Sequence, residues 1–368
     1  MATLSELSRH GQSAWLDFID RNLVSNGGLR RLVDAGVTGV TTNPTIFHKA
    51  ISGSTDYDEA IRELLEADHT IDPAGMCEAL MVADVQAAAD VLQPVYERTQ
   101  GADGYVSLEV PPELAFNVER SVSTAHRLWN AVDRPNVMIK VPGTAEGVTA
   151  FERLISEGIN VNVTLLFSVA RYEEVVHAWA RGLARAQDAH RIASVASFFV
   201  SRVDGKVDKR LDALGTAEAR QLRGRIAVAN AKVAYQRFLA LRQTPEIAEL
   251  VRRGARVQRP LWASTSTKDK RYSDVLYVEA LIGPDTVNTM PPETLDAFLY
   301  HGSASYSLGA DADVARRDLE ALSRLGIDLS AITRELELEG VDSFRDSWDK
   351  LLVSLKEKCV AVSKAFAG

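Results

Sequence analysis

A lysine interrupts an otherwise apolar run in NVMIKVPG, where Val137, Met138, Ile139 and Val141 flank Lys140. Lysine is rarely buried without a partner. The residue therefore reads in two ways: as an ammonium reaching solvent or a carboxylate from a strand end, or as an amine that desolvation leaves sufficiently neutral to attack a carbonyl. Other strand-like runs also end in groups that can do chemistry. Asp17 closes AWLD, Asn43 closes GVTTN, and Glu109 stands near the end of YVSLEVPP. In INVNVTLLF, Asn160, Asn162 and Thr164 fall on one parity, and Val161, Val163, Leu165 and Phe167 on the other. A single acid after a strand is commonly a helix cap or a surface group. Several acids at one height around an amine instead supply the proton transfers that making and breaking an imine require.

These residues can meet only if their elements bring them together. Short apolar runs alternate with longer helical patterns, as parallel strands joined by crossover helices do. Eight strands are predicted, at Ala14–Ile19, Val37–Asn43, Tyr105–Val110, Asn136–Pro142, Ile159–Phe167, Ile192–Val200, Pro260–Thr265 and Asp285–Met290. Amphipathic helices are predicted at Glu113–Val132, Ala145–Glu157, Val169–Ala186 and Ala217–Leu241, with Thr144 as an N-cap. The segment 44–104 carries helical patterns at Tyr57–Leu65 and Asp84–Tyr96, and Leu319–Leu325 and Phe344–Ala365 read as helices added after the eighth strand. An open doubly wound sheet would show the same alternation. The polar face of the fifth, central strand favours a closed barrel, whose interior can be polar at the top while the outer face packs on helices. The fold class expected is thus α/β, a (β/α)8 TIM barrel with additional helices, forming one domain over residues 1–368. In a barrel the third, fourth and fifth strands are neighbours, so Glu109, Lys140, Asn162 and Thr164 share a space.

Bulk properties narrow the partners. Lys and Arg number 42 against 50 Asp and Glu, a net charge of −8 with no basic run, so no nucleic acid or anionic membrane surface is expected. An anionic small molecule stays possible, because a few placed cations act locally. Only Cys77 and Cys359 are present, which fits a reducing compartment. No run approaches the roughly 18 apolar residues of a membrane span, and MATLSELSRHGQS lacks the apolar centre of a signal peptide, so a cytoplasmic location is expected. The seven histidines show no metal-ligand spacing, so neither a metal nor a cofactor is expected.

From Gln12 to Pro291 the sequence resembles the transaldolase family, through GVTTNPTIF, VSLEVPP, VMIKVPG followed by TAEG, INVNVTLLFS and ASFFVSRVD in that order. The resemblance implies that Lys140 is a Schiff-base lysine and that Asp17 is the acid–base residue of carbon–carbon cleavage. It implies that Glu109 and Thr164 position the water of imine chemistry, and that Asn43 and Asn162 hold the hydroxyls of a dihydroxyacetone unit. Ser197 and Phe199, of one strand parity, match the family's serine and aromatic wall, and Arg202 and Ser264 match its phosphate contacts. One position departs: where relatives usually carry a second arginine, two residues past the serine, this chain has Ser266, and Lys268 is the nearest replacement cation. Phe198 replaces a proline of the family on the outward parity, where only packing is expected.

The activity this implies is transfer of a dihydroxyacetone unit from sedoheptulose 7-phosphate or fructose 6-phosphate to an aldose phosphate, as in the pentose phosphate shunt, by a monomer or homodimer without cofactor. The nearest alternative is a fructose 6-phosphate aldolase of the same superfamily, which typically carries glutamine and tyrosine where Glu109 and Phe199 stand. A noncatalytic sugar-binding barrel is the alternative from another class.

Overall fold

In a computed structural model that describes residues 4–366, the eight strands are β1 Gln12–Leu16, β2 Val37–Val40, β3 Tyr105–Glu109, β4 Val137–Pro142, β5 Val161–Leu166, β6 Ser194–Phe199, β7 Arg259–Ala263 and β8 Thr286–Met290. They run parallel in sequential order and close into a barrel when β8 pairs with β1. Every predicted strand is present and each is shorter than its predicted run, some trimmed at the mouth and others, such as β4 and β8, at the bottom of the barrel.

The lower interior is plugged by aromatic side chains. Trp15 and Tyr105 are fully buried with ring centroids 6.5 Å apart, and Trp15 Nε1 donates to Asp103 Oδ1 at 2.7 Å. Gly39 makes room for this plug, since a Cβ there would sit 2.4 Å from the Trp15 ring. The outer faces pack on helices whose starts are fixed by side-chain caps. Asn117, Thr144 and Ser168 each accept a backbone N–H three residues on and open the helices Val118–Val132, Ala145–Ser156 and Val169–Arg185. Phe198 faces this layer, edge-on to Tyr172 and Trp262.

Several helices differ from expectation: the one read over Glu113–Val132 begins at Val118, after a short 3-10 turn at Pro112–Leu114, and the one read at Leu319–Leu325 spans Ala312–Arg324. The helix read over Ala217–Leu241 is two, Ala217–Leu222 and Ile226–Leu241, broken at Gly224, whose φ of +69° ends the first and brings its Cα against the Tyr272 ring. Asp84–Tyr96 belongs to a longer helix, Pro73–Arg98, started by the Asp72 cap. The final helix begins at Leu329 rather than Phe344 and runs to Phe366. It packs on the helix Pro44–Ser52 and crosses the barrel near β5. Among the described residues, no helix is long and apolar enough to cross a membrane.

The mouth carries two backbone distortions. Leu165 and Ser264 have φ of +60° and +56°, a region that costs a residue with a Cβ about 1–2 kcal/mol. Leu165 lies within the register shift between Val163 and Leu166 of the β5–β6 pairing, so the period-2 alternation of this strand fails just after Thr164.

Candidate active site

Strand register sets the first geometry. Glu109 stands opposite Lys140 in the β3–β4 pair and Lys140 opposite Asn162 in the β4–β5 pair, with Thr164 two residues on along β5. Lys140 is only 4% exposed. Its Nζ donates to the Thr42 carbonyl at 2.9 Å and lies 3.2 Å from Glu109 Oε2. Burial pushes the Glu109 carboxyl above the usual carboxylate range, while the Lys140 charge pulls it back. Beside them the buried Thr164 hydroxyl has no protein hydrogen-bond partner among the described residues. An unpartnered buried hydroxyl near an amine and a carboxyl is what a site for a substrate oxygen or a reacting water requires.

Asp17 enters from β1, where its backbone N–H donates to the Met290 carbonyl at 2.8 Å. Thr41 Oγ1 donates to Asp17 Oδ1 at 2.7 Å and lies 2.7 Å from Thr289 Oγ1. Burial raises this carboxyl too, opposed first by Lys140 and then by the Thr41 hydrogen bond. Two acids that hold protons more tightly than usual therefore flank one amine.

Asn43 caps the helix Pro44–Ser52, its Oδ1 accepting from Ile46 N at 3.1 Å, which leaves its amide Nδ2 for a ligand. Asn162 is fully buried. Its Nδ2 donates to Ser107 Oγ at 3.0 Å and its Oδ1 accepts from Ser197 Oγ at 2.7 Å. The Phe199 ring packs 5.2 Å from Phe167, and Arg202, in the first turn of the helix Ser201–Leu214, lies over it with Cζ 5.2 Å from the ring centroid. No carboxylate bonds this guanidinium among the described residues, and burial holds it below its ordinary value. Ser264 Oγ lies 2.9 Å from Ser201 Oγ, and Lys268 Nζ donates to Ser266 Oγ at 2.6 Å.

A cavity of about 490 Å³ joins these groups at the C-terminal ends of the strands, where barrel enzymes place their chemistry. Asp17, Asn43, Lys140, Thr164, Ser197, Phe199, Arg202, Ser264, Ser266 and Lys268 all line it, while Glu109 and Asn162 sit behind the wall. The sequence reading missed four contributors. Thr41 and Ser107 stand two residues before Asn43 and Glu109, and Ser201 immediately precedes Arg202, so strand parity and adjacency could have found them. Phe344 lies on the final helix far from every motif, and nothing local marks it. Its ring forms part of the wall.

Known proteins resemble this chain over nearly its whole length. The family described as Transaldolase/Fructose-6-phosphate aldolase matches residues 14–355. The "Transaldolase" of Acidothermus cellulolyticus is 49% identical over 359 residues, 96% of this chain and 95% of that protein. The "Transaldolase 2" of Streptomyces coelicolor is 48% identical, covering 95% of each chain. That of Parafrankia sp. (strain EAN1pec), also a "Transaldolase", is 46% identical over 96% of this chain and 97% of its own. With an eight-stranded barrel, an amine flanked by acids at its mouth and matches of this extent, the chain belongs to the transaldolase family.

Proposed function

We propose that this enzyme transfers a dihydroxyacetone unit through a Schiff base on Lys140, between sedoheptulose 7-phosphate or fructose 6-phosphate as donor and erythrose 4-phosphate or glyceraldehyde 3-phosphate as acceptor. The observation that carries the reading is the 4% exposed amine held at 3.2 Å from a carboxyl, at the floor of a cavity with a second acid on its wall. Lys140 attacks the ketose carbonyl, and loss of water leaves an iminium that draws electrons from the C3–C4 bond. Glu109, raised by burial, and Thr164, with its free hydroxyl, handle the water that leaves and later returns. Asp17 takes the proton of the C4 hydroxyl as the bond breaks and an aldose phosphate departs. The enamine left on Lys140 attacks the incoming aldehyde, and Asp17 returns the proton.

Asn43 and Asn162 hold the hydroxyls of the three-carbon unit, Asn162 through its bond to Ser197. Arg202, with no carboxylate partner among the described residues, grips phosphate together with Ser264, Ser266 and Lys268, the last standing in for the family's second arginine. The residues at positions 109 and 199, glutamate and phenylalanine, favour transfer over the aldolase reaction. One barrel unit carries the whole activity, in the cytoplasm, as a monomer or homodimer, with no cofactor and no nucleic-acid partner.

Borohydride added with fructose 6-phosphate tests this directly. The expected result is a dihydroxyacetone or hexose adduct at Lys140 by peptide mass; an enzyme that turns over yet yields no adduct would refute the covalent route. A parallel assay of glyceraldehyde 3-phosphate release should depend on erythrose 4-phosphate, and release at the same rate without it would mark an aldolase.

A further inference from the structure

The final helix brings an aromatic ring to the reacting centre. Phe344 is 4% exposed, and its ring centroid lies 5.8 Å from Lys140 Nζ and 5.8 Å from Arg202 Cζ. Its position is fixed from both sides along the helix. One turn earlier, Gly340 sits so close to the barrel mouth that a Cβ would lie 2.9 Å from Leu165 Cδ2 and 3.6 Å from Arg202 Nη1. Leu165 is the residue held at a φ of +60°. Three residues later, Ser347 Oγ lies 2.8 Å from Thr45 Oγ1 of the helix that follows β2. A glycine chosen for close approach, a distorted strand end that receives it and a polar tie thus place an apolar ring over the amine.

Resting on the Schiff-base reading above, we propose that Phe344 sets the partition of the enamine between transfer and release. The enamine on Lys140 has two fates. Its nucleophilic carbon can bond to the carbonyl carbon of an aldehyde, whose oxygen then takes a proton. Alternatively, that carbon takes a proton from water to give an iminium, which the remaining hydroxide attacks, so that one water is consumed, free dihydroxyacetone departs and the amine is restored. Transfer wins only if water is scarce at the carbon while the acceptor binds. An apolar ring within about 6 Å of the nitrogen excludes water and also favours the cationic iminium on either side of the enamine. The ring comes from outside the eight strand–helix units, so it can alter this partition without moving the acid–base groups beneath it.

The test measures free dihydroxyacetone formed per sedoheptulose 7-phosphate formed, from fructose 6-phosphate and erythrose 4-phosphate, in the full-length enzyme and its Phe344→Leu and Phe344→Ala variants. Borohydride trapping at Lys140 and thermal unfolding accompany each assay. The ratio should rise about tenfold in Phe344→Ala, where water enters, and about threefold in Phe344→Leu, which stays apolar but covers less. A purely structural phenylalanine would lower the melting temperature and slow both fates together, leaving the ratio unmoved. An unchanged ratio in folded Phe344→Leu, and in Phe344→Ala if it folds, overturns the role given to Phe344 while normal trapping leaves the Schiff base standing. Absence of the adduct in the parent overturns the covalent reading and this inference with it.

Discussion

Burial, more than charge pairing, sets the character of the two acids at the centre. For both Asp17 and Glu109 desolvation is the largest influence and raises the carboxyl, and the Lys140 charge only partly offsets it. Asp17→Asn should therefore keep the Thr41 contact but lose the proton carrier, cutting kcat by about 10²–10⁴-fold. Borohydride trapping should survive in this variant, and its loss there would assign Asp17 to imine formation instead. Exposure separates the two candidate phosphate cations. Arg202 is largely buried with no carboxylate partner among the described residues, so Arg202→Ala should cost about 2–4 kcal/mol in kcat/KM for fructose 6-phosphate. Lys268 is exposed and bonded to Ser266, and Lys268→Ala should cost about 1 kcal/mol or less. Both losses should vanish with unphosphorylated fructose; a penalty of equal size on that sugar would remove either residue from phosphate recognition. Asp17 is legible from its place at a strand end, whereas Arg202 and Lys268 are marked only by the family resemblance. Phe344 is marked by neither, because a phenylalanine in an amphipathic helix looks the same whether it meets a neighbouring helix or an active site.

At the scale of elements, the sequence made all eight strands visible through their apolar runs, and hid the breaks that depend on tertiary contact. The division at Gly224 and the turn at Leu165 answer to the Tyr272 ring and the final helix, neither of which is adjacent in sequence. The same region holds a titration. Asp204, on the helix Ser201–Leu214, accepts from Ala227 N at 2.8 Å and from the Tyr277 hydroxyl at 3.0 Å, and burial pushes its carboxyl from 3.8 to about 7. A carboxyl raised in the folded state holds a proton that the unfolded chain has released. Below about pH 4 both states are protonated, and from there to about pH 7 the folded state loses stability as pH rises, at up to about 1.4 kcal/mol per unit. Asp204→Asn stays uncharged and should flatten this part of the curve, as urea unfolding at intervals from pH 4.5 to 8 would record. Parallel slopes in parent and variant would mean that the proton sits elsewhere, with Asp208 the first alternative, since burial raises it as well.

The whole molecule is a barrel that completes itself with a helix from outside the repeat. Thirty-eight residues from Leu329 to Phe366 make a rod of about 57 Å at 1.5 Å per residue, long enough to cross the mouth and continue down one side. Its far end is fastened by Lys358, whose Nζ donates to the Ile51 and Ser54 carbonyls and pairs with Asp58 Oδ1 at 3.0 Å. One side chain thereby ties the final helix to the two helices that follow β2. Lys358 is 16% exposed at its side chain and Asp58 35%, so the pair is neither fully screened nor fully buried. Lys358→Met keeps the apolar stem and removes all three polar contacts, for a loss of about 1–3 kcal/mol. The barrel strands close on themselves through the β8–β1 pair and need nothing from this contact. The loss should therefore appear first as faster amide hydrogen exchange along the final helix, at urea concentrations where the strand amides remain protected. Equal acceleration in strands and helix would instead show that barrel and helix unfold as one cooperative unit, and that the ring of Phe344 is as rigidly placed as the lysine beneath it.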